Sequence, residues 1–213
     1  MAKELIVQLA FLILTLSILY VVHNLRKQPG QLRARSRDRD NHQSNRHLVQ
    51  GSRLLARARS NSHGPRSMAH AKSALIEADQ ALSLSPRDPA AHILKALALD
   101  LMGHHAAALR SMDSALSVPH VKSLSAAERE DALVKRAELK LAVNQRRRVD
   151  SALEDLDEAV RLSRGSNTTA FCLLGECYEW KGMKEKAKEA FQRAIEIDPD
   201  SVKARSGLDR LGP

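Results

Sequence analysis

Along residues 44–211 apolar residues recur at helical intervals, and small side chains hold fixed places among them. The pattern is clearest near the carboxyl end. Phe171, Leu174 and Tyr178 lie at i, i+3 and i+7, one face of a helix. Gly175 and Ala187 have almost no side chain, so two helices can cross closely there. Gly182 sits where the chain must turn between them. Phe191 and Ala194 continue the apolar stripe on the second helix. Pro199 ends that helix, because proline lacks the amide proton a helix interior needs. The stretch therefore predicts a helix–turn–helix pair over 168–201.

The same spacing recurs upstream. In 89–122, Ala96 takes the place of the small glycine, Gly103 the turn, and Ala108, Met112 and Ala115 follow at matching intervals. Asp88 before Pro89 reads as a helix start. In 130–165, Leu133 and Ala137 belong to a first helix and Ala152, Leu156 and Ala159 to a second. The segment Asn144–Arg148 is read as a long turn between them. Ser125 and Glu128 form a capping-box signature, so the first of these helices is expected to begin early. In 44–88, Ala74, Ala78, Ala81 and Pro86 repeat the spacing of a second helix, while the first helix shows only a rough stripe of Leu48, Leu55 and Ala58 and matches the repeat poorly. Val202, Leu208 and Leu211 are expected to cover the last pair through a capping helix over 201–211.

The set Phe171, Leu174, Gly175, Tyr178, Gly182, Ala187, Phe191, Ala194 and Pro199 resembles the tetratricopeptide (TPR) pattern, with Phe171 in place of the usual tryptophan. The resemblance covers residues 44–211 and is strongest over 168–201. It implies an all-α, right-handed solenoid of helix–turn–helix repeats. One such pair cannot bury its own apolar faces, which fits several stacked copies.

A second hydrophobic pattern precedes the repeats. Leu5 to Val22 is 18 residues without a charge. As a helix it would run about 27 Å, enough for a thin bilayer. It lacks a small-residue cleavage site, so it is expected to be a retained transmembrane anchor over 1–22. Basic residues follow it, so the amino terminus is expected to be lumenal and the remainder cytosolic. The endoplasmic reticulum is the favoured membrane, with the mitochondrial outer membrane as the alternative.

Charge sharpens this picture. Residues 23–66 hold 11 Lys/Arg against 2 Asp/Glu, which is the whole formal net charge of +9; the rest holds 23 of each sign. Residues 23–43 read as a basic disordered stalk. Its Arg26, Lys27, Arg33, Arg35, Arg37 and Arg39 are candidate contacts for anionic lipid. The stalk lacks interleaved aromatics, so nucleic-acid binding is not expected. Cys172 and Cys177 lie on one helix, pointing apart, and read as small apolar residues. The acids Glu154, Asp155, Asp157 and Glu158 read as a solvated helix face. No sequence motif calls for a metal, a cofactor or catalysis.

Function is then expected to lie in the groove. In TPR arrays the first helices of successive repeats line a concave, peptide-binding surface. The carboxylate clamp that grips acidic chaperone tails does not carry over. Its polar positions fall on Ile93, Leu94, Leu97, Glu138, Thr169 and Leu173, and only Lys135 is basic. An acidic chaperone tail is therefore disfavoured. The expected groove holds Ile93, Leu97, Asp100, Asp131, Val134, Glu138, Cys172, Glu176 and Glu179, with Trp180 at its edge. That surface is apolar with a carboxylate stripe, suited to a basic amphipathic ligand. The reading is a membrane-anchored, cytosol-facing adaptor without catalysis. The alternatives are an outer-membrane receptor for basic targeting sequences and a self-associating scaffold.

Overall fold

The computed structural model describes residues 15–20, 23, 39–60 and 64–212, and among these helices are the only regular elements. The chain divides into two units, Met1–Gln43 and Ser44–Pro213. In the first unit residues 15–20 are helical and exposed, as are residues 39–43 apart from half-buried Asp40. Among the described residues no helix is long and apolar enough to cross a membrane. That finding overturns the single-pass placement and the compartments assigned to its two sides. Residues 1–14, 21 and 22 of the expected span lie outside the described residues. So do Arg26, Lys27, Arg33, Arg35 and Arg37, while Arg39 is exposed on a helix.

The second unit is a row of antiparallel helices. They are α1 (residues 44–60), α2 (Pro65–Leu84), α3 (Pro89–Leu101), α4 (His105–Leu116), α5 (Ala126–Leu162), α6 (Thr168–Trp180), α7 (Lys184–Ile197) and α8 (Val202–Leu211). Neighbours in sequence are neighbours in space, as expected of a solenoid. The helix starts follow local chemistry. The Asp88 carboxylate accepts from the Ala90 amide at 2.9 Å, ahead of Pro89 in the first turn. Ser125 and Glu128 make both bonds of a capping box. Asn167 accepts from Ala170 N–H at 2.8 Å. The turns after α3 and α6 place Gly103 and Gly182 at φ +77° and +74°, which side chains other than glycine's disfavour.

The expected turn at Asn144–Arg148 is present as a sharp break at Asn144, whose backbone is extended (φ −164°, ψ 91°), and the helical halves of α5 on either side of it fold back against each other. The Asn144 side chain accepts from the Arg147 amide at 3.1 Å and so caps the second half of the helix. The two halves are locked by buried charge. Asp155, 4% exposed, accepts from Arg136 Nε at 2.9 Å and from its Nη2 at 2.5 Å, and pairs with Lys140 at 2.7 Å. Lys140 also donates to the Ser151 carbonyl at 2.8 Å. Glu158 pairs with Arg129. Asp155 and Glu158 are thus structural, not part of a solvated face, because cations from the first half of α5 reach them.

Packing at the carboxyl end centres on Phe191, which is fully buried. A Cβ at Gly175 of α6 would lie 2.6 Å from its ring, and one at Gly207 of α8 would lie 2.5 Å from it. Helix α8 therefore seats on the ring through Gly207 and Ala204, with Leu208 and Leu211 beside it. Val202 is not part of this cover, being 76% exposed on the outer side. At the amino end the close contact is Gly51, where a Cβ would meet Leu94 Cδ2 at 2.5 Å.

Candidate functional site: the concave groove

Helices α1, α3 and the first half of α5 lie side by side and enclose an open groove of about 470 Å³, closed at one end by the start of α6. Leu55 of α1, Ile93 and Leu97 of α3 and Val134 of α5 form its apolar floor. Ser52 and Arg59 stand on the α1 rim. Glu128, Asp131, Lys135 and Glu138 stand on the α5 rim, and Asn167 and Thr169 at the α6 end. Each first helix brings one side chain per turn to this face, since residues three and four apart stack on a helix.

The rim charges are only partly neutralised within the fold. Lys135 donates to Asp100 and Glu138, both at 2.8 Å. His105 Nδ1 lies 2.9 Å from the same Asp100. Burial pushes the Asp100 carboxyl up, but the Lys135 and His105 contacts outweigh it and hold it below the usual range. Burial likewise pulls Lys135 down, and its two carboxylate partners more than restore it. Glu128 titrates low because the Ser125 amide and hydroxyl bind its carboxylate. Asp131 is exposed, and among the described residues neither it nor Arg59 enters an ion pair.

Of the residues expected in the groove, the structure brings together Ile93, Leu97, Asp131, Val134 and Glu138. Asp100 stands behind Lys135 as its anchor. Cys172, Glu176 and Glu179 do not line it. Cys172 is 2% exposed in the core with Phe191 and Ala204. Glu176 pairs with Lys203 at 3.1 Å, and Glu179 takes both arms of Arg210 at 3.1 and 2.8 Å. The cause is α8, which packs on α6 and α7 and occupies this end of the inner face. Trp180, 44% exposed, stands at the end of α6 away from the groove. The two thiols are free; burial raises both, Cys177 to about 11. Sequence reasoning did not place Leu55, read only as part of a helical stripe, or Arg59 in the groove. Gly51, an isolated glycine in a helical pattern, was the available signal for a first helix packed against α3.

Residues 169–201 match the tetratricopeptide repeat family model. No curated protein matches the chain. Among solved structures, the chain is similar to MamA residues 41-end from Desulfovibrio magneticus RS-1, at 21% identity and a TM-score of 0.63, covering 79% of this chain and 83% of that one. It is similar to TTC0263, a thermophilic TPR protein in Thermus thermophilus, at 20% identity and a TM-score of 0.56, covering 79% and 80%. YrrB, described as a TPR protein with an unusual peptide-binding site, aligns at 20% identity and a TM-score of 0.53, over 74% and 82%. The repeat at 169–201 and these likenesses in fold agree with the helix pairing seen directly: the second unit is a TPR-type helical solenoid.

Proposed function

We propose that the chain is a non-catalytic interaction adaptor that holds a peptide segment of a partner protein in the groove between α1, α3 and α5. The observation that carries this reading is an apolar floor open to solvent beneath a rim richer in carboxylates than in cations. A peptide with apolar anchors seats on Ile93, Leu97 and Val134, and a basic residue beside them meets Asp131 and Glu138. The solved TPR neighbour with a peptide-binding site gives the reading further support. Lys135 is already shared by two carboxylates, so Arg59 alone among the rim cations is open to an acidic chain terminus.

The test is direct binding of fluorescein-labelled basic amphipathic peptides to the full chain. Binding is expected in wild type and is expected to be lost in Leu97→Asp combined with Asp131→Lys, with helicity unchanged by circular dichroism. Peptide binding that ignores the double substitution would overturn the groove as its seat.

A further inference from the structure

The outward side of α1 carries a different signal. This helix packs on α2 and α3 through Leu48, Gly51, Leu55 and neighbouring residues. On its opposite side Arg46, Val49, Arg53 and Arg57 are exposed. The three arginines lie at i, i+7 and i+11, a single stripe along about 16 Å of helix. Residues 44–60 contain no Asp or Glu. Among the described residues none of the three arginines enters an ion pair.

The far end of the solenoid shows what a merely solvated terminal helix looks like here. On α8, Lys203, Arg205 and Arg210 are each paired, with Glu176, Asp200 and Glu179. The α1 stripe is thus a concentrated positive face, unpaired among the described residues, within the 23–66 segment that carries the whole net charge, while the charges outside that segment balance.

We propose that this face of α1 docks an acidic amphipathic helix of a partner protein. Its carboxylates meet Arg46, Arg53 and Arg57, and an apolar side chain covers Val49, which is 52% exposed. The ridge is a helix surface without a strand edge, so an extended chain gains no backbone bonds there, whereas a helix repeats its carboxylates at the same period. Nucleic acid is less well matched, because residues 44–84 contain no Phe, Tyr or Trp for base stacking. A lipid surface is less well matched, because Val49 is the only large apolar residue exposed on α1 and a surface-lying helix needs a continuous apolar face.

The experiment is fluorescence anisotropy of the full chain with a designed acidic amphipathic helical peptide at low salt. Arg46→Glu/Arg53→Glu/Arg57→Glu is expected to weaken binding at least about tenfold, since like charges then face each other. Reversal of Arg146 and Arg147, an exposed pair on α5, is the control and is expected to change affinity less than about twofold. The milder Arg53→Gln keeps a helix former and is expected to weaken binding a fewfold, about what one exposed pair is worth. The groove substitutions Leu97→Asp and Asp131→Lys are expected to leave this binding intact, which separates the two surfaces. Equal losses in the triple variant and the control would overturn the proposal. So would tighter binding of oligodeoxythymidylate or phosphatidylserine vesicles than of the peptide.

Discussion

The two ends of the solenoid solve the same packing problem with different parts. At the carboxyl end an aromatic ring is the centre: Phe191 fills the space between α6 and α8, and both neighbours give way to it through glycine. At the amino end no aromatic is used. Helix α2 presents Ala71, Ala74, Ala78 and Ala81, all fully buried, and α1 approaches α3 at Gly51. One design depends on a single large side chain, the other on close backbone approach spread over two long helices. The first should fail at a point and the second should yield gradually.

The largest expected effect is therefore Phe191→Ala, which should cost about 3–5 kcal/mol in a chemical denaturation series. A loss below about 1 kcal/mol would mean that the ring does not organise this end. Asp155→Ala comes next, because it removes the buried carboxylate that Arg136 and Lys140 share, leaving Arg136, among the described residues, only Asp113 at 3.6 Å. Breaking one partner of a buried pair costs about 3–5 kcal/mol, towards the lower part of that range here because Lys140 keeps its bond to Ser151.

Gly175→Ala sharpens the comparison. Its new methyl group meets a ring that cannot move aside, so a loss of about 1–3 kcal/mol is expected. Gly51→Ala meets the end of the Leu94 side chain and, at 3.2 Å, the Glu77 Cβ, but gains helix propensity of about 1 kcal/mol, so its net effect should fall within about 1 kcal/mol of zero. Equal losses at the two glycines would erase the distinction.

The smallest effect is one of pH. Asp100 titrates lower in the folded chain than its ordinary value, so it adds stability above that value, which fades as pH falls through the folded one. Urea midpoints of wild type and Asp100→Asn should differ near pH 6, begin to approach each other below about pH 4, where unperturbed aspartates protonate, and converge only below the lowered value of folded Asp100. A gap that persists or widens in acid would contradict the Lys135–Asp100–His105 arrangement.

How much of this was legible follows from the same contrast. In 168–201 every interval of the repeat is intact, so the helix pair, its turn and the Gly175 contact could be read from spacing alone. At the amino end 23 residues separate Gly51 from Ala74, against 12 between Gly175 and Ala187, because α1 and α2 are extended. The first helix was therefore legible only as the rough stripe of Leu48, Leu55 and Ala58, and the place of Leu55 and Arg59 on the groove wall was not. The groove was legible where it follows repeat position, at Ile93, Leu97, Asp131, Val134 and Glu138. It was misread where a later helix intervenes. Cys172, Glu176 and Glu179 sit at equivalent positions, but only α8, folded back on α6, supplies Ser201, Lys203 and Arg210 against them. Spacing within a helix does not report partners that arrive from 27 or more residues away. The apolar run of 5–22 reads as a membrane span from length and hydropathy alone, whereas no described helix has that length and character.

The most direct test of the central claim is hydrogen–deuterium exchange of the full chain with and without a bound basic amphipathic peptide. The account predicts added protection in α3 and in the first half of α5, the walls that carry Ile93, Leu97 and Val134. Protection confined to α7 and α8, or to the outward side of α1, would contradict it.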